Sequence, residues 1–406
     1  MKTLIDRFRI AFPRSGRRQR RWDVLLVLVA LIAMFLVGRF LGHESTNIIQ
    51  SRELLRLTST PHILNEAAGK VSRGKPLKGL EVKRDAELLE RAPYKVHTGI
   101  YVTNNFGVDL GIPAFSSKGY IWMRWDQAFQ DYLSERDLAI EEVISFENDI
   151  NPEVTAITPL RQSRQMGDGV YAQGFVYTGQ FYIDNLDLSR FPFNSVSLPI
   201  VLEVEDPFGD LVFQKLRLIP DLRDSGIGLY STLPGWLSRG WSFGEYRHHF
   251  SSGLGFSPED NEFSQLVFDT SYQRSSWSAF WTLIQPLIIV MASVILITRV
   301  MTEVRIEIPV AVLLTLIFLQ DGYRSDLPDL SYLTFMDSVY VIAYLASFVS
   351  FGLVLYLEAL KRRAETVSDP EQREVLLLRG EVLEQIWPPL ALFAAVFLSV
   401  LSWFIA

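Results

Sequence analysis

The chain has no cysteine among its 406 residues. Disulfides are therefore excluded, and thiolate metal sites with them. Histidine is scarce: His43, His62, His97, His248 and His249 are scattered apart from one adjacent pair. No Ser-His-Asp, metal-ligand or phosphate-binding motif stands out, so an enzyme is disfavoured and neither cofactor nor resident metal is expected. Surplus positive charge is missing as well. A net charge of −7 gives no footing for nucleic-acid binding.

The chain is instead rich in apolar and aromatic residues. Trp22, Trp277, Trp387 and Trp403 stand at the ends of apolar runs, as expected for side chains at a membrane interface. The length implies more than one domain.

Residues 1–23 carry eight Lys/Arg against two Asp, and Val24 to Val37 is then wholly apolar. This reads as a signal peptide or an uncleaved signal anchor within residues 1–42. The lack of a small-x-small cleavage site, and Arg39 just beyond, favour the anchor. In either case the basic end stays cytoplasmic, binding lipid head groups, and the chain beyond the apolar run is exported. Residues 43–93 are polar with helix-like pieces, SRELLRL and AELLERA, and read as an exported lead-in.

From residue 94 to 275 the texture changes. Short alternating or aromatic-rich runs such as VHTGIYVTN, GYIWMRW, GVYAQGFVYTGQFYI and SVSLPIVLEV are broken by Gly, Pro, Asn and Asp. Eight to ten strands without helical alternation predict an antiparallel β-sandwich. The acidic run Glu203, Glu205, Asp206 and Asp210 reads as a solvated face, with Ca²⁺ binding through oxygens as the alternative.

Four apolar segments come next within 276–406, at 277–298, 304–321, 332–357 and 386–406, with a cytoplasmic amphipathic connector at 358–385. Arg299 and Arg305, then Lys361, Arg362 and Arg363, mark cytoplasmic turns that agree with the basic N-terminus. The expected architecture is an anchor helix, an extracellular or periplasmic sandwich and a four-helix transmembrane bundle in the cell (inner) membrane.

The second segment is the unusual one. Its apolar run, Ile308 to Leu319, is short for a lipid-facing span, and lengthening it brings in Glu303, Glu307 and Asp321. Glu303, Glu307, Ala311, Leu314, Phe318 and Asp321 step by three and four, which keeps them on one stripe. A charge near mid-membrane costs at least roughly 2.5–3.5 kcal/mol. The stripe therefore faces either a water-filled pore or the interior of the chain's own bundle.

LPDLSYLTFMDSVYVIAYLASFVSFGLVLYLEAL resembles the second-to-third-helix loop and third helix of pentameric ligand-gated ion channels, the Cys-loop receptor superfamily. LDLSRFPFNSVSLPIVLE is similar to that family's signature loop, and VHTGIYVTNNFGVDLGIPAFSSKGYIWMRWDQ to its first two strands. Arg274, a dozen residues before Pro286, fits the last strand running into the first helix. The likeness covers about residues 94–406. The chain departs in lacking the loop cysteines, as prokaryotic members do, in Asn194 for the usual Asp, in Ser195-Val196 where Gln is usual nearby, in Ala311 for a common hydroxyl, and in Pro309.

The resemblance implies a cation-selective homopentamer gated from the exported side. Glu303, Glu307 and Asp321 would form charged rings, and Leu314 and Phe318 the apolar gate. It implies coupling of sandwich to pore by Asp109, Phe191, Pro192, Phe193, Asn194, Arg274, Arg324 and Pro328. The ligand, a small molecule or ion of unknown identity, would lie between subunits near Phe250 and Phe256 of the His248–Asn261 loop, with Trp122 or Trp125 from the facing subunit. No Tyr/Trp box assembles, so an amine ligand is not supported. The alternative is a non-conducting, membrane-anchored binding or sensor protein of the same fold.

Overall fold

Residues 195–204, SVSLPIVLEV, place Val196, Leu198, Ile200, Leu202 and Val204 on one face at a period of two, and all five are buried in a single apolar core. The computed structural model describes residues 54–56, 75–76, 79–160, 162–184, 186–205, 209–250, 262–299 and 307–405. The anchor segment, Arg305, Glu303, Asp206 and Phe256 lie outside them.

The strands are β1 (Leu54–Arg56), β2 (Lys75–Pro76), β3 (Tyr94–Asp109), β4 (Ala114–Asp126), β5 (Ile144–Phe146), β6 (Ala156–Pro159), β7 (Arg164–Gly167), β8 (Val170–Tyr182), β9 (Ser195–Val204), β10 (Leu216–Pro220), β11 (Gly226–Ile227), β12 (Trp236–His249) and β13 (Glu262–Arg274). One sheet runs β2-β1-β12-β13-β9-β5, the other β10-β3-β4-β8-β6. Core side chains come from both: Ile100, Phe115 and Phe175 meet Leu202, Phe243 and Phe268. The region is sandwich-like, as the alternation predicts.

The lead-in differs from expectation. Of SRELLRL, Leu54 to Arg56 form strand β1, paired antiparallel with β12. Three residues with two leucines suit a sheet edge as well as a helix, and the open edge of β12 decides. AELLERA is helical, inside α1 (Leu80–Arg91), so the sandwich draws on residues before 94.

The α1 helix buries none of its residues, and its connection to the sheet is ionic. Arg217 of β10, 1% exposed, donates from Nε and Nη2 to both oxygens of Glu245 at 2.7 and 3.0 Å, and from Nη2 to Asp85 at 3.1 Å. Ser264 Oγ donates to Glu245 at 2.7 Å, and the guanidinium lies 4.2 Å from the Phe213 ring centroid. Burial pushes the Glu245 carboxyl above its usual range despite Arg217 and Ser264, and Asp85 adds to the rise. Burial raises Asp85 in the same way, against the pull of Arg217.

A second helix of the sandwich unit, α2, spans Gln127–Glu135. The helical unit contains residues Leu188–Phe193 and Ser276–Ala406. Its described helices are α3 (Ser276–Ile295), α4 (Glu307–Arg324), α5 (Phe335–Thr366) and α6 (Pro370–Ile405). Among the described residues α3, α5 and α6 are long and apolar enough to cross a membrane. The α4 helix, with Glu307, Asp321 and Arg324 in 18 residues, is not among them.

Phe280–Ile284 of α3 form a π turn directly before Pro286. Proline lacks an N–H and crowds the carbonyl four residues back, and the wider turn accommodates it. The amphipathic connector at 358–385 is helical, in keeping with its texture, and continues the flanking helices on both sides of a three-residue break, Val367 to Asp369. Glu, Lys, Arg, Ala and Leu propagate α5 beyond the apolar run, and Pro370 at the start of α6 sets the restart. Ala343, Ser347, Ser350, Val354 and Leu357 form the buried seam of α5, whose small members allow close helix approach.

Arg217→Met should destabilise the sandwich by about 3–5 kcal/mol, because the buried Glu245 loses the guanidinium that donates to both its oxygens. Adding Glu245→Leu should recover most of that loss in denaturant unfolding of the full chain. A single variant as stable as wild type would show that the pair contributes nothing.

A carboxyl raised on folding holds its proton more tightly in the native state. The cluster therefore favours the fold below the ordinary carboxylate range and loses that contribution as pH climbs through the raised values. Asp85→Asn removes one such titration. Its melting temperature relative to wild type should rise between about pH 4 and pH 7; a difference independent of pH contradicts the assignment.

Candidate functional site

The α4 helix has two faces. Pro309, Val312, Leu316 and Tyr323 are buried against the other helices. Glu307, Ala311, Leu314, Phe318 and Asp321 are all exposed in the single chain, Leu314 at 56% and Phe318 at 68%. At 3.6 residues per turn the two sets lie roughly 180° apart. Among the described residues the bundle therefore does not bury the stripe. The bundle takes the purely apolar face instead, because only that face can be desolvated without stranding carboxylates.

The C-terminal end of α4 is held by the first turn of α5. Asp337, 2% exposed, accepts from Thr334 N and Thr334 Oγ1 at 3.0 Å each, and its own N–H donates to Thr334 Oγ1 at 3.1 Å. That is a capping box. The second oxygen accepts from the Tyr323 hydroxyl and from Arg324, at 3.1 Å from Nε and 3.0 Å from Nη2. Asp337 thus serves two helices. Farther along, Tyr344 Oη donates to Gln320 Oε1 at 2.7 Å.

Aromatic rings extend this anchor. Tyr323 stacks between Tyr340 and Phe191, with centroids 5.2 and 6.0 Å away. Phe193 meets Phe335 at 6.3 Å and Trp403 at 5.9 Å, and Arg190 lies 5.4 Å from the Trp403 ring. Backbone bonds complete the seat: Leu188 N donates to Tyr332 Oη at 3.0 Å, and Phe335 N to Ser189 O at 2.7 Å. The Phe191–Pro192 peptide is cis. Residues 188–193, though flanked in sequence by β8 and β9, therefore pack with α4, α5 and α6. Trp403 is buried there, whereas Trp277 is 57% exposed.

Of the other coupling residues, Asp109 accepts from the backbone of Gly111 and Ile112 at 2.8 and 3.2 Å, closing its own turn. Arg324 pairs with Asp337, and Pro328 lies in the segment between α4 and α5. Arg274 donates its backbone N–H to Asn194 O at 3.1 Å. The Asn194 side chain is buried, and neither amide atom has a hydrogen-bond partner among the described residues.

The expected ligand residues are dispersed. Trp122 and Trp125 sit three apart on β4 and so point to opposite faces. Trp122 Nε1 donates to Asp221 at 3.1 Å, whereas Trp125 is buried in the core and stacks on Tyr171. Phe250 lies 4.2 Å from the His248 ring. The acidic run divides: Glu205 is exposed, as a solvated face requires, while Glu203 and Asp210 are not. Glu203 is buried against His248 Nδ1 at 2.7 Å, and Asp210 takes Tyr132 and Arg136 at 2.5 and 3.0 Å. No group of three acidic or histidine side chains suited to a metal occurs among the described residues.

Sequence reasoning gave Asp337 no role. A usable signal was present in Thr334-x-x-Asp337, the spacing of a capping box ahead of an apolar run. No family model matches the chain, and no curated protein matches it either.

Asp337→Ala should cost on the order of 3 kcal/mol, since Tyr323, Arg324 and Thr334 all lose their acceptor. Asp337→Asn, which keeps one acceptor oxygen, should cost less. Thermal unfolding in detergent reads both, and equal stabilities across the three proteins contradict the anchor.

Proposed function

We propose that the chain is a subunit of a homopentameric, cation-selective ion channel of the Cys-loop receptor superfamily, gated by a stimulus on the exported side. The observation that carries the reading is the exposed stripe on α4, Glu307, Ala311, Leu314, Phe318 and Asp321. Lipid rejects its carboxylates, and the opposite face of the helix already packs in the bundle. Five copies around an axis give the stripe water. In this reading α4 is the fourth spanning helix, with α3, α5 and α6 outside it, the sandwich exported and the N-terminus cytoplasmic.

Glu307 supplies five carboxylates near one mouth, assisted by Glu303, and Asp321 five near the other. Such rings offset the dehydration of a cation. Leu314 and Phe318 form apolar rings between them that close the path by dewetting. The Phe191-Pro192-Phe193 loop, seated on Tyr323, Phe335 and Trp403, transmits movement of the sandwich to the outer end of α4.

Recordings from purified protein in planar bilayers, across pH and divalent-ion concentration, test this. Leu314→Ser hydrates the central ring. Each buried methylene is worth about 0.8 kcal/mol, and about 1.4 kcal/mol is tenfold in the open-to-closed ratio, so spontaneous opening should rise at least about tenfold. Glu303→Gln with Glu307→Gln should move the reversal potential toward non-selectivity. A native mass of monomer or dimer, or a Leu314→Ser protein that assembles yet shows wild-type current, rules the channel reading out.

A further inference from the structure

Helix α6 (Pro370–Ile405) carries Pro388 and Pro389 in its interior. A proline has no N–H to give to the carbonyl four residues back, and its ring crowds that carbonyl. Pro388 thus removes the helical donor from Glu384 O, and Pro389 removes it from Gln385 O. The main-chain ladder of α6 is broken at two successive steps. The break lies between a charged stretch that ends at Glu384 and an uncharged one that runs to Ile405. Prolines in such a place are where long helices bend.

The end of α3 supplies what the prolines withhold. Thr298, 2% exposed in the turn Ile297–Arg299, donates its hydroxyl to Glu384 O at 3.0 Å. Beside it, Trp387 Nε1 reaches Val294 O at 3.5 Å, a long contact. Both join the C-terminal end of α3 to the residues directly ahead of Pro388. The donor to Glu384 O belongs to another helix, so that bond lasts only while the two helices stay together. Gln385 pulls the other way. Its side-chain Oε1 is enclosed and has no hydrogen-bond partner among the described residues. An enclosed amide oxygen without a donor is a cost of the packed arrangement, relieved when the oxygen returns to water.

We propose that α6 is jointed at Pro388 and that the Thr298 hydroxyl is the latch of the joint. With the latch closed, the segment 370–387 is held to the end of α3. With the latch open, that segment swings about the two prolines, because two successive main-chain bonds that would oppose the turn are missing. A single hydroxyl-to-carbonyl bond is weak enough to open and close within the folded protein. The latch therefore lets a load on the charged front of α6 reach the end of α3, or be released from it, through one hydrogen bond. The joint lies within the helical unit of one chain and does not depend on the channel reading.

The absence of cysteine makes the test direct. Ile289→Cys on α3 and Leu377→Cys on the front of α6, both exposed positions, take nitroxide labels with no native thiol to remove. Pulsed dipolar EPR on the full-length protein in detergent, with labelled chains diluted in unlabelled ones, reads their separation. Leu377 stands about 16 Å ahead of Pro388 along the helix, so a bend of about 20° moves it by roughly 5 Å. Thr298→Val keeps the side-chain shape and loses the hydroxyl. It should shift or broaden the distance distribution by that amount, and Thr298→Ser should not. In the Pro388→Ala, Pro389→Ala variant the restored N–H groups take both carbonyls, so adding Thr298→Val there should change nothing. Should Thr298→Val not fold alone, the triple variant must fold. An unchanged distribution in Thr298→Val, the same broadening once the prolines are removed, or a triple variant that stays unfolded overturns the latch.

Discussion

One buried carboxylate organises the helical unit. Asp337 caps its own helix through Thr334 and, with its other oxygen, receives Tyr323 and Arg324 from the end of α4. A carboxylate this enclosed is tolerable only because its acceptor sites are filled and one donor is cationic. The same bonds set the rotation of α4. Tyr323 must face inward to reach Asp337, and Leu316, Val312 and Pro309 are carried round with it at helical spacing. The stripe carrying Glu307, Leu314, Phe318 and Asp321 is thereby turned outward.

That rotation explains how a helix with charges at both ends can accompany three membrane-length neighbours. A helix alone in lipid would bury its polar ends wherever it could. Here the inner face is already occupied by aromatic and aliphatic contacts, so the carboxylates have no place among the described helices. The stacked series Phe191, Tyr323 and Tyr340 adds rigidity at this end. The Phe193, Phe335 and Trp403 group does the same for α5 and α6. Offset and edge-on aromatic pairs contribute about 0.5–1.5 kcal/mol each beyond burial, enough together to hold a six-residue loop in one seat.

The legible part of this architecture was whatever repeats. Alternation at Val196, Leu198, Ile200 and Leu202 announces a half-buried strand, and three-four spacing announces the stripe on α4, because both periods are set by backbone geometry. Short segments gave no such purchase. Leu54 to Arg56 carry too few residues to show a period, and the edge of β12 determines their pairing. The charged stretch after Leu357 reads as an amphipathic connector of helical texture, and what hydropathy does not show is that the helix runs on without a break to Thr366. Position on an apolar run does not show that Phe193, distant in sequence, meets Trp403.

Polar residues at the interior were the least legible, since composition cannot say which charges meet. Arg217, Glu245 and Asp85 are separated by up to 132 positions in contact with one another, yet converge on one guanidinium. Glu203 finds His248 and leaves the acidic run beside it in sequence. Glu141 and Glu142 are adjacent and chemically identical, but one completes a backbone cap and the other's enclosed oxygen has no partner among the described residues. The short helical turn at Ile140 brings the Glu142 carboxylate back to Ala139 N and leaves Glu141 outside that cap. A satisfied carboxylate stabilises the turn it closes. An unsatisfied one forfeits the hydration it had in the unfolded chain and weakens the fold to that extent.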